Sequence, residues 1–385
     1  MVYNKAMLIE MSAENEDDSS KQYAADIYLP ASLYEIDDTL DKCRGYLVKT
    51  DIMPFSISEC ERVPLLNQLR FDGTNLYELN YLAKQISEFD NTQLAAYNAL
   101  LPLVVGENEL ISIKDVINLT YCVDDYSVAS NIFNDTELGE MLIDNGMFEG
   151  IENLSDEMIE FLDAEKIGEA YRTAENGVYV NGCYVSREGF ELKEIFNGET
   201  LPEHTPDNYL FRFCLSNELT AETWIDVPFN ENAEQFIRNA KGAGFNLIDY
   251  LTAIPMVERY SNNVHERITV EHLNRVNELA KDFLFLDEIQ SIKFKAALFS
   301  EGIDSLEDMD KIESILKNVD SYNLKYFNVY PSDFAKDYLE QHLDETFPKE
   351  YLKLINTNAL GDRLMDELQG GYTPYGILLK SSNEQ

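Results

Sequence analysis

Positive charge is scarce in this sequence. It contains 30 Lys and Arg against 71 Asp and Glu, which gives a formal net charge of −41 at pH 7 over 385 residues. Solubility requires a net charge of only about 2–8 in a small domain, and self-repulsion at higher charge destabilises the compact state. The excess therefore indicates a function for the negative field, which repels nucleic acid and anionic lipid and attracts basic surfaces.

Motifs for catalysis and metal binding are also missing. The four histidines form no HExxH motif, and none of the five cysteines lies in CxxC spacing. Phosphate-binding glycine loops, the GxSxG nucleophile turn and the EF-hand loop are absent as well. We expect a protein that is not an enzyme and has no metal or cofactor. Because carboxylates are so numerous, a diverged hydrolase using two acids stays open as an alternative.

Long apolar segments and a secretory leader are lacking too. The longest apolar run, residues 99–105, includes Pro102 and is too short to span a bilayer. Residues 1–14 do not show the basic and then apolar pattern of a signal peptide. An odd number of cysteines without a disulfide framework is typical of a reducing compartment. These features predict a cytoplasmic protein that associates with neither membrane nor nucleic acid.

The sequence does have the composition of a folded chain, with 45% hydrophobic and 11% aromatic residues, and it repeats itself. Residues 76–84 resemble residues 273–281, and Asp90 and Gln93 match Asp287 and Gln290 in the same register. Further matches pair residues 161–168 with 354–361 and residues 176–182 with 370–376. The offset stays between 193 and 198, so we expect two copies of one unit.

The repeat predicts an α+β fold of two tandem copies in an elongated, highly acidic molecule. Each copy should contain a small β-hairpin or sheet domain, a helical domain and a short terminal strand pair. The first copy spans residues 6–188 and is more diverged, residues 189–205 form a linker, and the second copy spans residues 206–382. The expected helices cover residues 33–42, 75–88, 135–144, 156–171, 233–241, 270–283, 331–342 and 348–365.

Acidic residues concentrate between Asp115 and Glu165, where the sequence has no Lys or Arg. Acidic helix faces are normally solvated and carry Glu–Lys pairs four residues apart, which this stretch cannot form. Phosphates follow one another at about 3.4 Å per DNA strand, so closely spaced acids could imitate them. The candidate phosphate-mimicking acids are Asp124, Asp125, Asp135, Glu137, Glu140, Asp144, Glu149, Glu152, Asp156, Glu157, Glu160, Asp163, Glu301, Asp304, Glu307, Asp308 and Asp310.

The second copy resembles the ArdA antirestriction family over nearly its whole length. The first copy resembles it more loosely, with Asp26 where the second copy has Trp224. The segments that carry the resemblance are residues 210–215, 223–228, 248–250, 273–280 and 360–377. The resemblance implies a protein of mobile genetic elements that mimics B-form DNA. Such proteins occupy the DNA-binding groove of Type I restriction–modification enzymes and block restriction and modification of incoming DNA.

The family is usually a homodimer of one-copy chains. We therefore expect either a homodimer or an intramolecular pseudo-dimer of the two copies, with a Type I restriction–modification enzyme as partner. Composition alone also allows an acidic scaffold that binds another basic protein, and adaptation to high salt.

Overall fold

The chain forms two compact units in a computed structural model. Unit 1 comprises Met1–Met11, Asp26–Ala31 and Asp51–Thr205, and unit 2 comprises Ser12–Ala25, Ser32–Thr50 and Pro206–Gln385. The structure describes residues 5–15, 18–43, 55–106, 110–147, 151–202, 209–217, 220–229, 231–239, 244–252, 254, 267–303, 306–325, 330–343 and 349–380. The architecture is mixed α+β with several small, mainly antiparallel sheets, as the sequence predicts.

The N-terminal sheet has three strands in the order β2-β1-β3. These strands are β1 (Met7–Asn15), β2 (Asp18–Leu29) and β3 (Phe55–Glu59). Met7, Ile9 and Met11 are buried and alternate with more exposed residues, which is the period-two pattern of a half-buried strand. The sequence predicts the first two strands, but the third was missed because Phe55–Glu59 is a short segment without a recognisable turn before it.

Unit 1 continues with a helical layer. It contains α2 (Leu76–Glu88), α3 (Asn91–Val105) and α4 (Ile113–Leu119), with short parallel strands β4 (Arg70–Phe71) and β5 (Leu110–Ile111). Asn75 and Asp90 cap α2 and α3 in reciprocal capping boxes with Glu78 and Gln93. Such boxes satisfy backbone N–H groups that have no partner inside the helix, which fixes where each helix begins.

The last part of unit 1 is a three-stranded sheet, in the order β6-β8-β7, with two packed helices. Its elements are β6 (Val128–Ser130), α5 (Asp135–Asp144), α6 (Asp156–Ile159), α7 (Ala164–Ala174), β7 (Val178–Val180) and β8 (Cys183–Val185). Helices α5 and α7 pack backbone to backbone at two glycines. A Cβ at Gly139 would overlap the carbonyl oxygen of Ala164, and one at Gly168 would overlap that of Asp135.

Part of the predicted linker packs on unit 1. Asn118 in α4 accepts hydrogen bonds from the backbone N–H groups of Ile195 and Phe196, at 2.9 and 2.7 Å, and donates to the Phe196 carbonyl. The Phe196 side chain is fully buried, and Lys114 and Asp125 form ion pairs with Glu194 and Lys193. This segment is therefore anchored by a buried aromatic ring and by an amide that hydrogen-bonds to its backbone.

Unit 2 contains a four-stranded sheet in the order β10-β9-β11-β12 and a three-stranded sheet in the order β13-β15-β14. The strands are β9 (Phe211–Asn217), β10 (Thr220–Val227), β11 (Phe245–Thr252), β12 (Arg267–Ile268), β13 (Tyr322–Lys325), β14 (Gly371–Thr373) and β15 (Gly376–Lys380). The helices are α1 (Leu33–Cys43), α8 (Glu231–Asn239), α9 (Val270–Leu284), α10 (Glu288–Ser300), α11 (Met309–Lys317), α12 (Pro331–His342) and α13 (Thr357–Glu367).

A buried ion cluster holds α1 within unit 2. The Lys295 ammonium lies 2.9 Å from Asp38 and 2.7 Å from Asp41, and all three side chains are less than a tenth exposed. Tyr375 donates its hydroxyl hydrogen bond to Asp38 at 2.7 Å, and Lys42 forms an ion pair with the same carboxylate. Each charge is thus paired or hydrogen-bonded, which is the condition for burying it.

Two predicted helices are shorter than expected. The helix predicted over residues 156–171 is interrupted before α7, because the Asp163 side chain accepts from the Lys166 N–H and caps a new helix. The helix predicted over residues 348–365 becomes a 3-10 turn, Lys349–Leu354, followed by α13, which Asn356 caps. The single tryptophan, Trp224, is half-buried on β10.

All five cysteines are buried and free. Burial raises the pKa of the Cys43 and Cys60 thiols to about 11, although Lys42 and Arg62 act in the opposite direction. Within the described residues, no helix has the length and apolar character needed to cross a membrane.

Candidate functional site

Asp135, one of the candidate mimic acids, forms a network inside unit 1. Its two carboxylate oxygens accept from Arg172 at 2.7 and 3.0 Å, and Tyr179 donates its hydroxyl hydrogen bond to Oδ1 at 2.7 Å. The hydrogen bond from Arg172 lowers the pKa of Asp135, and the Tyr179 hydroxyl reinforces the effect. This bidentate pair joins α5 to α7 and neutralises the carboxylate, so the geometry favours a structural role for Asp135.

Other candidate acids in unit 1 act as helix caps or ion-pair partners. Glu137 accepts from the Phe133 N–H at 2.7 Å, and Asp163 caps α7 and pairs with Lys166 at 2.8 Å. Asp124 accepts from the Gln93 amide at 3.0 Å, and Asp125 pairs with Lys193. These carboxylates lie at the surface, and the hydrogen bond or ion pair that each one makes fixes its orientation.

A third group of acids is exposed and without an ion-pair partner among the residues that the structure describes. It consists of Glu140 and Asp144 on α5, and of Glu157 and Glu160 at and just after α6. Residues three or four apart on a helix are separated by about 4.5–6 Å along its axis. Like charges at this spacing disfavour the helix by some tenths of a kcal/mol, so helix stability does not account for them.

The candidate acids of unit 2 are more often paired. Asp310 lies 2.6 Å from the Arg275 guanidinium, Asp308 lies 3.3 Å from the Lys311 ammonium, and Glu301 is exposed at the end of α10. Among the described residues, the exposed candidate acids without an ion-pair partner therefore belong to the base-free segment of unit 1. The structure does not describe the remaining candidates in full. Glu149 and Asp304 lie outside the described residues, and the described part does not include the side chains of Glu152, Asp156 and Glu307.

Exposed apolar side chains beside these acids were missed by the sequence analysis. Met158, next to Glu157, is 57% exposed, and Phe161, next to Glu160, is 87% exposed. Their spacing of three residues is typical of the buried face of a helix, so periodicity alone does not mark them as exposed. The break before Asp163 is the signal that could have revealed them, because it ends the helix whose core they would have joined.

No group of three or more His, Cys, Asp and Glu side chains in the described part of the chain is arranged to hold a metal ion.

A scan against protein-family models, a search of curated proteins and a search of solved structures found no match to this chain.

Proposed function

We propose that the protein is a DNA mimic of the ArdA type, which inhibits a Type I restriction–modification enzyme by occupying its DNA-binding groove. The observation that carries the proposal is the base-free segment between Asp115 and Glu165. Within its described part, Glu140, Asp144, Glu157 and Glu160 are exposed without a cationic partner. A DNA-binding groove places Lys and Arg to contact phosphates, and unpaired carboxylates compete for those cations.

The amount of charge is adequate for this role. A net charge of −41 equals the charge of about 70 Å of duplex, on the order of 20 base pairs, at one charge per ~1.7 Å. Exposed ion pairs contribute little individually, so such a surface must act through the number of its charges. Association should then be electrostatically steered and weakened by salt.

The proposal includes two tandem copies of one unit, and matching side-chain contacts support it. Asn80 in α2 accepts from the Ala31 N–H at 2.6 Å, and Asn277 in α9 accepts from the Phe229 N–H at 2.6 Å. Each asparagine is buried, and each fixes the backbone just after a cis X–Pro bond. A shared polar contact of this kind is more specific than a shared hydrophobic pattern.

Two further contacts recur. Gln93 donates to Asp124 and Gln290 donates to Asp320, both at 3.0 Å, and both glutamines belong to capping boxes. The close helix contact at Gly168 also recurs. At Gly361, as at Gly168, an added Cβ would overlap a carbonyl oxygen of the helix that packs against it.

The terminal hairpins also support the alignment of the two copies. Asn176 and Gln369 both adopt positive φ, at 51° and 50°. This shared conformation supports an alignment of Asn176 with Gln369, one residue away from the sequence match with Gly370. Two such copies in one chain would supply the surface that a homodimer of one-copy chains supplies.

Neutralising the unpaired acids tests the proposal. We expect the quadruple variant Glu140→Gln, Asp144→Asn, Glu157→Gln and Glu160→Gln to weaken inhibition of a Type I enzyme by roughly tenfold. Each single change should cost about threefold or less, because exposed charges contribute weakly and cumulatively. The measurement is the half-inhibitory concentration for cleavage of unmodified DNA, at several salt concentrations.

A control with the same change in net charge uses acids that already have cationic partners. Glu194, Glu234, Glu278 and Glu367 pair with Lys114, Arg238, Lys281 and Arg363. Their amide variants should weaken inhibition less than the first set does. Equal losses of inhibition in the two sets would show that the unpaired acids of unit 1 do not form a specific contact surface. Inhibition that ignores salt and acid number, or that excess duplex DNA does not relieve, would contradict mimicry altogether.

The exposed Met158 and Phe161 favour a second candidate function, an acidic interaction protein whose basic partner does not bind DNA. Apolar side chains among acids suit a protein surface better than they imitate phosphates. Competition by duplex DNA separates the two functions, because only a mimic shares its site with DNA.

A further inference from the structure

An apolar groove runs between α9 and α11 in unit 2. It encloses about 750 Å³ and is floored by Val270, Leu279, Leu286 and Leu316. The α9 residues that line it recur every three or four positions along the whole helix. At 1.5 Å per residue, α9 provides a groove about 20 Å long, the length of roughly four turns of a helix. Its elongated form suits a helical segment better than a compact small molecule.

At the corresponding place in unit 1, the repeat register positions two tyrosines. Tyr81 on α2 and Tyr121 just after α4 meet through their hydroxyl groups, and Tyr81 is buried. The repeat register places Glu278 and Lys317 at these positions in unit 2. Their side chains are 68% and 74% exposed and extend into solvent. The open groove therefore follows from replacing two covering aromatic side chains by two charged ones.

The rim of the groove is acidic. Carboxylates of Glu271, Glu278, Asp282 and Glu313 line it, with Arg275 and Lys317 as the basic residues. Arg275 is already occupied, since its guanidinium donates to Asp310 at 2.6 Å and to Glu313 at 3.0 Å. A ligand that enters this groove meets an apolar floor between negatively charged edges.

We propose that this groove receives a helical segment of a protein partner, with an apolar face flanked by Lys and Arg. Helix-in-groove recognition combines an apolar stripe at helical spacing with charges along the edges, and both are present here. The inference does not depend on DNA mimicry, because it concerns apolar burial at one groove and not phosphate imitation by dispersed acids.

The test uses the full chain and a fluorescent Lys/Leu peptide of about 16 residues, with Leu placed on one helical face. A peptide of identical composition, shuffled so that no apolar face forms, is the reference. In about 0.3 M NaCl, where general attraction to the acidic chain is screened, we expect the amphipathic peptide to bind at least tenfold more tightly. Equal affinity of the two peptides would overturn the proposal.

The variant Glu278→Tyr/Lys317→Tyr restores the pair that closes the groove in unit 1 and leaves the net charge unchanged. It should abolish the preference for the amphipathic peptide. The matched control Arg363→Tyr/Glu367→Tyr changes an exposed ion pair on α13 in the same way and should keep the preference. A preference that survives closure would contradict the proposal.

A second variant remains informative if closing the groove disturbs folding. Glu271→Lys/Asp282→Lys reverses two exposed rim charges and should weaken the amphipathic peptide at least tenfold, while Asp362→Lys/Asp366→Lys on α13 should not. Equal effects would overturn the proposal. Light scattering of the unbound protein identifies the other occupant: self-association that Glu278→Tyr/Lys317→Tyr disrupts would make a second copy the ligand and would also overturn it.

Discussion

Lys295 shows how a charge is retained in the core of a protein. Burial acts to lower the pKa of its ammonium group, but Asp38 and Asp41 outweigh burial and raise it. Burial likewise acts to raise the pKa of Asp38, and the ammonium groups of Lys295 and Lys42 reverse the direction. Lys295 and Asp38 therefore stay ionised between the ordinary pKa values of a carboxylate and an amine, about 4 and 10. Lys295, Asp38 and Asp41 stabilise one another, because all three side chains are buried and carry opposite charges.

Removing Lys295 alone should be strongly destabilising. Lys295→Met leaves Asp38 and Asp41 buried without their main counter-ion, which typically costs about 3–5 kcal/mol. The triple variant Lys295→Met/Asp38→Asn/Asp41→Asn should recover much of that loss, because the one charge it leaves without its partner, Lys42, is partly exposed and not buried. Urea unfolding measures both free energies. A single variant as stable as the wild type would show that the cluster is not buried in solution.

At the scale of the elements, close helix contacts depend on glycine. Ala has the higher helix propensity, by about 1 kcal/mol, so exposed Gly→Ala changes within helices usually stabilise. At Gly139 and Gly168 the added Cβ would overlap a carbonyl oxygen of the facing helix. Backbone atoms cannot rotate away as a side chain can, and overpacking of this kind costs about 1–3 kcal/mol or more.

We therefore expect Gly139→Ala and Gly168→Ala to destabilise the protein despite their better helix propensity. Thr173→Ala, at an exposed position on α7, is the control and should be neutral or slightly stabilising. Thermal unfolding gives the comparison. Stabilisation by either glycine variant would mean that α5 and α7 do not pack backbone to backbone.

The sequence predicts elements whose signals are local. Helices α5 and α12 begin and end at the predicted residues, and α9 begins at its predicted first residue after the cap Thr269. The break between α6 and α7, and the turn that replaces the start of the last predicted helix, were not predicted. Apolar spacing continues across the caps at Asp163 and Asn356, and periodicity alone does not show where a cap interrupts a helix.

Strands without a close partner in sequence were also missed. β6 and β13 each add a third strand to a terminal hairpin from more than fifty residues away. Likewise, the candidate acids could be identified by composition, but their partners could not. Nothing local distinguishes Asp135, bound by Arg172 from another helix, from Glu140, which is exposed.

At the scale of the whole molecule, the net charge should make stability and inhibition respond oppositely to salt. Self-repulsion opposes the compact state, and raising the salt concentration from 0.1 to 1 M shortens the Debye length from about 10 to 3 Å. We expect the thermal midpoint to rise by about 2 °C or more, while inhibition of a Type I enzyme weakens.

The quadruple variant of Glu140, Asp144, Glu157 and Glu160 provides the control for this effect. With four fewer charges, it should start from a higher thermal midpoint at low salt and gain less on salt addition. Midpoints that fall with NaCl in both proteins would indicate that specific ion pairs, and not self-repulsion, dominate the electrostatics.

The buried thiols make the opening of each unit measurable by chemical modification. Only a thiolate that reaches solvent reacts with an alkylating reagent, and burial opposes both exposure and ionisation at Cys43 and Cys60. Modification of the native protein must then wait for its structure to open. Cys60, Cys122 and Cys183 belong to unit 1, whereas Cys43 and Cys214 belong to unit 2. With reagent in large excess, so that alkylation outpaces reclosing, mass spectrometry of alkylated peptides over time would therefore measure the opening rate of each unit separately within one intact molecule.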